Sequence, residues 1–174
     1  MVTLKGNQVY LRALEQKDLD FLYELENDTD VWEVSGTVTP YSKNVLQLYL
    51  DNAHRDIFDV KQLRLVICTF EHEAIGLIDI FDFEPNHKRA GLGIIIIDTL
   101  QRNKGIGTEA ITLLCNYVFK VLGLRQVYAN ILEDNMASMH LFKKLGFVEV
   151  GVKKDWIRVN NSYKNEVLLQ KINR

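Results

Sequence analysis

The sequence has few of the residues that mark specialised classes of protein. Its 174 residues include only two cysteines, and the formal net charge is −2. Two cysteines argue against a disulfide framework, and the near-neutral charge gives no general attraction to nucleic acid. No Cys/His cluster has the spacing of a zinc site, so we expect no metal. Cys68 and Cys115 each lie in an apolar run, which predicts buried thiols in a reducing, cytoplasmic compartment.

Long apolar segments are also missing. No stretch approaches the ~20 apolar residues of a membrane-spanning helix, and the first residues lack the apolar core of a signal peptide. We therefore expect no membrane partner. Repeats, low-complexity tracts and linkers are absent too, so residues 1–174 are predicted to form one domain with a full hydrophobic core.

Apolar periodicity predicts a mixed α/β fold. Helices are expected around residues 19–25, after Ser42, from Thr108 and after Asn135. Residues 111, 114, 118 and 121 should share the inward face of the third helix, and residues 137, 141 and 145 that of the fourth. Strands are expected at 9–13, 63–70, 74–83, 90–97, 126–131, 147–158 and 163–172.

The segment QRNKGIGTEA, residues 101–110, lies between a run of isoleucines and the third predicted helix. Two glycines at a helix N-terminus can present unpaired N–H groups to an anion, and two nearby cations would help. A plain strand-to-helix turn is the alternative from these residues alone. The P-loop and dinucleotide patterns are excluded, because Thr108-Glu109 follows Gly107 and Ile111 stands where a third glycine is required.

Four stretches, taken together and in order, resemble the GCN5-related N-acetyltransferases (GNAT). Residues 102–107 resemble the pyrophosphate motif R/Q-x-x-G-x-G/A of that family, and residues 10–22 its first strand and helix. ILEDNMASMHLFKKLGF resembles its later N-x-x-[AS]-x-x-L-[YF] block, and residues 151–170 resemble its closing hairpin. Within the family, the ribosomal-protein N-terminal acetyltransferases and bacterial spermidine acetyltransferases are the branches that the sequence resembles.

The resemblance implies a mostly antiparallel sheet with helices on both faces and a V-shaped cleft for acetyl-CoA. The strand before the glycine loop would splay from its neighbour and pair its backbone with the pantetheine arm. Asn135 would bind the same arm or act only as a helix cap. The implied cofactor residues are Ile95, Ile96, Ile97, Arg102, Asn103, Lys104, Gly105, Ile106, Gly107, Thr108 and Asn135.

The reaction that the resemblance implies is transfer of an acetyl group to a primary amine, which must lose a proton to attack. Relatives in the polyamine branch tend to carry a carboxylate at the start of the cofactor strand, where this chain has Gly91, and many carry a tyrosine where it has Phe142. Asp79, Asp82 and Ser138 are the catalytic candidates that remain. The alternative for the two aspartates is a strand with one solvated face, with Asp82 on the side of Ile78 and Ile80.

The acceptor site is predicted in the acidic first half of the chain. Glu24, Glu33, Trp32 and Tyr41 are the candidate residues for a cationic amine, a small amine or a peptide N-terminus. A solvated acidic face and core aromatics are the alternatives. The departures at positions 91 and 142 also leave open a non-catalytic module that binds acyl-CoA or senses polyamines. The resemblance further implies a possible homo-oligomer.

Overall fold

A seven-stranded sheet runs through the part of the chain that the computed structural model describes, residues 2–97 and 104–174. Its order is β1-β2-β3-β4-β5-β7-β6, and every described pairing is antiparallel except that of β4 with β5. The strands are β1 (Val9–Ala13), β2 (Leu63–Thr69), β3 (Ala74–Glu84), β4 (Arg89–Ile96), β5 (Gln126–Leu132), β6 (Val148–Val159) and β7 (Ser162–Ile172).

Six α-helices are found in the described residues: α1 (Leu19–Glu26), α2 (Thr29–Ser35), α3 (Lys43–Asp51), α4 (Ile57–Val60), α5 (Ile106–Lys120) and α6 (Met136–Lys144). The predicted caps are confirmed, since Ser42 accepts a hydrogen bond from the backbone of Val45 and Asn135 accepts one from Ser138. The sequence did not predict α2 and α4. Each is short and begins after an aspartate cap, Asp28 or Asp56.

Helices cover both faces of the sheet. Alternate residues of β2 and β3, such as Ile67, Ile78 and Ile80, pack with α5 and α6 in the larger apolar cluster. The residues between them, such as Val66 and Leu77, pack with α1 and α3 in the smaller cluster. We call these the α5 face and the α1 face. The predicted fold class is confirmed.

A buried ion pair ties β1 to the start of α1. The guanidinium of Arg12 donates two hydrogen bonds of 2.8 Å to Asp18. Burial opposes the charged form of Asp18, but Arg12 and the Glu15 backbone N–H outweigh it and lower its pKa. Arg12 and Asp18 therefore have a structural role. Both belong to the segment that resembles the family's first strand and helix.

The cleft opens where β4 separates from β5. Their parallel pairing covers only Arg89–Gly91 against Gln126–Tyr128, whereas β4 continues to Ile96 and β5 to Leu132. The β4–β5 pairs that the structure describes end at Gly91 with Tyr128. The predicted splay is confirmed.

Two details of helix orientation were wrong. Val121 is 56% exposed because α5 has ended at Lys120. In α6 the buried residues are Met139 and Phe142, whereas Ala137 is exposed. Leu141 and Leu145 are half-buried, so the inward face of α6 is rotated from the predicted one.

Candidate active site

The start of α5 has the geometry of an anion cradle. Gly105 caps the helix in the left-handed conformation with φ +83°, which favours glycine. The N–H groups of the next three residues, Ile106, Gly107 and Thr108, precede the first intrahelical donor, the N–H of Glu109, which bonds to the Gly105 carbonyl. They lie at the positive end of the helix dipole. Lys104 is exposed beside them, whereas the predicted residues Arg102 and Asn103 lie outside the described residues.

Glu109 fixes this cradle to the N-terminal segment. Its carboxylate accepts hydrogen bonds of 2.7, 2.8 and 2.9 Å from the backbone N–H groups of Asn7, Gln8 and Val9. Burial opposes the charge, but the three N–H groups outweigh it and lower the pKa of Glu109. The loop that precedes β1 and the first turn of α5 are therefore held together by one side chain.

The remaining predicted cofactor residues lie along the two arms of the cleft. Ile95, Ile96 and Ile97 are half-buried at the end of the splayed strand. Asn135 lies beyond β5, and its side-chain oxygen caps α6 through the N–H of Ser138 at 3.2 Å. The capping role of Asn135 is confirmed, and its cofactor role stays a prediction.

A cavity of about 370 Å³ lies on the α1 face of the sheet. Its floor comes from β2 and β3, and its walls come from α1, α3 and the segment that joins α2 to α3. The residues that line it are Leu22, Glu26, Ser35, Thr37, Tyr41, Val45, Leu46, Tyr49, Gln62, Leu63, Arg64, Asp79, Ile80 and Phe81.

Arg64 sits between two carboxylates on the wall and floor of this cavity. It binds Asp79 through two hydrogen bonds of 2.8 and 3.0 Å and Glu26 through one of 2.5 Å, and it lies over the ring of Tyr49. Burial alone would lower the pKa of Arg64, but Asp79 and then Tyr49 and Glu26 raise it above its ordinary value. The three side chains leave the cavity one negative charge.

Asp82 does not share the side of Ile78 and Ile80, so that expectation was wrong. A β-bulge shifts the β3–β4 register between Phe81 and Glu84, and Asp82 takes a positive φ of 47°. Phe83 takes the core position on the α5 face instead. The carboxylate of Asp82 is exposed and accepts a hydrogen bond of 3.2 Å from the hydroxyl of Tyr128.

The four acceptor-site candidates are not brought together. Tyr41 lines the cavity, where Glu26 and Asp79 lie as well. Trp32 is half-buried and donates its indole N–H to the backbone of Glu26 at 2.9 Å. Glu24 is exposed on α1.

Glu33 has a partner on the other side of the cleft. Its carboxylate pairs with Lys164 of β7, and the same ammonium pairs with Asp134 at 2.6 Å. Asp134 and Glu33 raise the pKa of Lys164. This ion cluster links α2 to the segment between β5 and α6.

Phe142 is buried in the sheet-facing side of α6. It is 3% exposed and meets the ring of Phe147 edge-on with 4.9 Å between centroids. The ring therefore belongs to the hydrophobic core. Ser138, a catalytic candidate, is half-buried in the first turn of α6. That turn follows the C-terminal end of β5, whereas Tyr128 lies near the N-terminal end of the same strand.

Sequence reasoning missed Arg64, Tyr49 and Tyr128. A signal for Arg64 existed, because it is the one charged residue of β2, and the register pairs it with Asp79 of the next strand. A second bulge, between Ile67 and Cys68, sets the register of β2 against β3. It is not visible in the apolar pattern of the sequence. Tyr128 could be assigned to the site only with the knowledge that β5 lies beside β4.

Three general features of the described residues lie outside the cleft. Cys68 and Cys115 are both free and buried, as predicted, and burial raises the pKa of Cys115 to about 11. Among the described residues, no helix has the length and apolar character needed to cross a bilayer. The same residues contain no group of three or more His, Cys, Asp or Glu side chains placed to hold a metal ion.

Comparisons with known proteins agree with this geometry. Residues 8–148 match the model of the acetyltransferase (GNAT) domain. The chain is 31% identical over 162 residues to the spermidine N(1)-acetyltransferase of Escherichia coli strain K12, which covers 93% of this chain and 84% of the relative.

Solved structures resemble it over nearly the whole length. A spermidine N-acetyltransferase from Vibrio cholerae, in complex with CoA and spermine, superposes with a TM-score of 0.86 at 27% identity and covers 96% of both chains. A dodecameric structure of spermidine N-acetyltransferase from the same organism, in an intermediate state, gives a TM-score of 0.79 at 28% identity, covering 96% of this chain and 95% of that one.

Proposed function

Because the chain belongs to the acetyltransferase (GNAT) family and is an acetyl-CoA-dependent N-acetyltransferase, we propose that its acceptor is a polyamine. The observation that carries the proposal is the cavity on the α1 face, where two carboxylates face one guanidinium. Relatives named for spermidine acetylation, and one solved with spermine, support the same class of acceptor.

The donor would lie in the splay between β4 and β5. In this proposal the backbone of Ile95 to Ile97 pairs with the pantetheine amides, and Asn135 binds the same arm from across the cleft. The N–H groups from Arg102 to Thr108, with the charge of Lys104, hold the pyrophosphate. The confirmed splay and the left-handed cap at Gly105 support this placement.

The acceptor would enter from the cavity. An ammonium of a polyamine can exchange ion pairs with Glu26 or Asp79, while its methylene groups contact Tyr41 and Tyr49. Glu24, Trp32 and Glu33 lie outside the cavity lining, and the two glutamates are proposed as an outer acidic surface that attracts the polycation, with Trp32 as an aromatic contact beside them. Each additional positive charge on the acceptor should therefore improve its kcat/KM.

Chemistry in this cleft requires a neutral amine nitrogen to attack the thioester carbonyl. Asp79 and Asp82 are the candidate proton acceptors, and backbone N–H groups of β4 would stabilise the oxyanion. Phe142 has no hydroxyl and cannot donate a proton to the leaving group. Ser138 or water is left to protonate the departing thiolate.

We also propose that the protein is cytoplasmic and forms a homo-oligomer. The two free, buried thiols suit a reducing compartment. The long edge strand β6 exposes Val148, Val150, Val152 and Trp156, which is the kind of surface that a second copy would cover. The dodecameric relative supports self-association.

The deciding experiment is an amine panel with acetyl-CoA, in which DTNB detects the released thiol. Spermidine and spermine should be acetylated with a kcat/KM at least tenfold above those of monoamines and of a neutral peptide N-terminus. Turnover on the peptide but not on polyamines would reject the polyamine proposal. Tight acetyl-CoA binding without thiol release from any amine would favour a non-catalytic module.

The donor site is tested by Gly107→Val. A Cβ at Gly107 would lie 3.0 Å from a methyl of Leu141, so a valine disturbs the cradle where α5 meets α6. The Kd for acetyl-CoA should rise at least tenfold. Asn116→Val, at an exposed position further along α5, is the matched control and should leave the Kd unchanged. An unchanged Kd in Gly107→Val would remove this loop from the site.

A further inference from the structure

The cleft needs a group that takes a proton from the acceptor amine near the thioester. The first part of β4 offers no side chain for this, because Gly91 and Gly93 occupy the two positions that share a face with Asp79. A Cβ at Gly91 would lie 2.2 Å from the ring of Phe81, so that ring fills the space a side chain would use. The proton acceptor must come from a neighbouring strand.

The reacting end of the donor should lie toward Gly91. Under the proposed function, the pyrophosphate is held beyond the last residue of β4, so the pantetheine arm runs back along this strand. Six residue steps separate Ile97 from Gly91, a span of about 20 Å. The cleft closes at the Gly91–Tyr128 pair. Tyr128 is therefore the β5 side chain at the closed end of the cleft, on the same face as Gly91.

Two features orient the hydroxyl of Tyr128. Its ring packs edge-on against Phe81, with 5.9 Å between centroids and an interplanar angle of 88°. The β-bulge in β3 turns Asp82 out of the core toward Tyr128, whose hydroxyl donates to the carboxylate at 3.2 Å. A left-handed aspartate in a strand is an uncommon conformation, and such positions concentrate at functional sites.

We propose that Tyr128 and Asp82 form the proton relay of the acetyl transfer. The amine nitrogen bonds to the thioester carbonyl carbon and the C–S bond breaks, releasing the thiolate. The Tyr128 oxygen takes the proton of the amine while the Tyr128 proton passes to Asp82. Asp82 is exposed and returns this proton to water, and water protonates the thiolate. The inference rests on the proposed function.

The electrostatics suit a relay better than a permanent phenolate. Burial, followed by the charge of Asp82, raises the pKa of Tyr128 to about 12, so its hydroxyl stays protonated and can donate to the carboxylate. The charged groups that face it are Asp82 on β3 and Arg89 on β4, and its β7 neighbour in register is the uncharged Gln170. Asp79 is a weaker candidate, because both of its oxygens accept hydrogen bonds from Arg64.

The test compares wild type, Tyr128→Phe, Asp82→Asn and the double variant. Each single change should lower kcat about 10²-fold while the Kd for acetyl-CoA stays within twofold. Because the two groups act as one unit, the double variant should be no slower than the worse single variant. Because the variant depends on bulk base to take the proton, the kcat of Tyr128→Phe should rise more steeply with pH than that of wild type.

Tyr163→Phe removes an exposed phenol on β7 and is the matched control, with an unchanged kcat. Wild-type turnover with an unchanged kcat in Tyr128→Phe would overturn the relay alone. Effects that multiply in the double variant would overturn it as well. Absence of wild-type turnover on every amine would overturn the proposed function together with the relay.

Discussion

The two faces of the sheet differ in how they use charge. On the α5 face, β2, β3 and β4 contribute Leu65, Ile78 and Leu92 to a large apolar cluster. On the α1 face, Asp79 of β3 lies between two residues with which it pairs in register. They are Arg64 of β2 and Gly93 of β4. One face is filled by close packing, whereas the other keeps a cavity and three ionised groups.

The difference predicts that the two faces contribute unequally to the stability of the fold. Buried aliphatic side chains contribute free energy wherever they pack well. A partly buried ion cluster contributes little net stability, because desolvation offsets the attraction between its charges. We infer that the charges of the α1 face are retained for the acceptor and that the α5 face supplies most of the free energy of unfolding.

The largest effect should come from the α5 face. Ile78→Ala removes a side chain that is 1% exposed and leaves a cavity between β3 and α5, which should lower the free energy of unfolding by about 4 kcal/mol. Urea denaturation measures this loss. Val121→Ala, at an exposed position just beyond α5, is the control and should change it by less than about 0.5 kcal/mol. Equal losses would contradict the contrast between the faces.

A smaller effect is expected from Arg64→Met on the α1 face. It leaves two partly buried carboxylates, Glu26 and Asp79, without their cation, and it should lower the free energy of unfolding by about 3 kcal/mol. Replacing both carboxylates by leucine in the same chain should restore most of that stability. The triple variant should nevertheless acetylate spermidine with a kcat/KM at least tenfold below wild type.

The matched control for this series is Arg55→Met. It breaks the exposed pair with Asp59 on the protein surface, which should have an effect of less than about 0.5 kcal/mol. A triple variant as unstable as Arg64→Met would show that the ion cluster is needed for folding. A triple variant with the wild-type kcat/KM would show that the acceptor does not use it.

The smallest effect concerns Glu109, a charge at the edge of the α5 face. Glu109→Gln weakens three hydrogen bonds to the backbone and should lower the free energy of unfolding by about 1 kcal/mol at neutral pH. The folded protein lowers the pKa of Glu109, so its contribution is present above the ordinary glutamate pKa. The contribution is lost as the pH falls through the lowered value.

The wild type and Glu109→Gln should therefore converge in stability in acid, as followed by urea denaturation at several pH values. Glu149→Gln, which breaks an exposed pair with Lys143, should show no such difference at any pH. A difference between Glu109→Gln and wild type that grows toward acid would contradict the assigned charge state.

Local pattern was sufficient to predict most of the fold. The strands are long and rich in β-branched residues, and α5 has a clear period, so their existence was predictable. The helix α2 was not predicted, because its seven residues mix polar and apolar side chains without a helical period. The orientation of α6 was wrong because nine residues with several apolar side chains allow two inward faces, and contact with Phe147 selects one.

The candidate site was less predictable, because it depends on contacts between distant strands. Sequence reasoning proposed Asp79 and Asp82 but could not find their partners Arg64 and Tyr128. Both pairings depend on bulges, which change the register by one residue without a mark in the apolar pattern. The cofactor roles of the glycine loop stay predictions that acetyl-CoA binding can test.

The bulge at Asp82 also affects how variation in β3 should be interpreted. Before it, even-numbered residues such as Ile78 and Ile80 face the α5 cluster, and after it the residue that faces this cluster is Phe83. A library built on the alternation of Ile78 and Ile80 would therefore assign Phe83 to the opposite face and place polar residues in the α5 cluster. For the same reason, deleting Asp82 should be tolerated by the core, because Phe83 would then follow Ile80 by two residues and stay on the α5 face, whereas the contact of the carboxylate with Tyr128 would be lost.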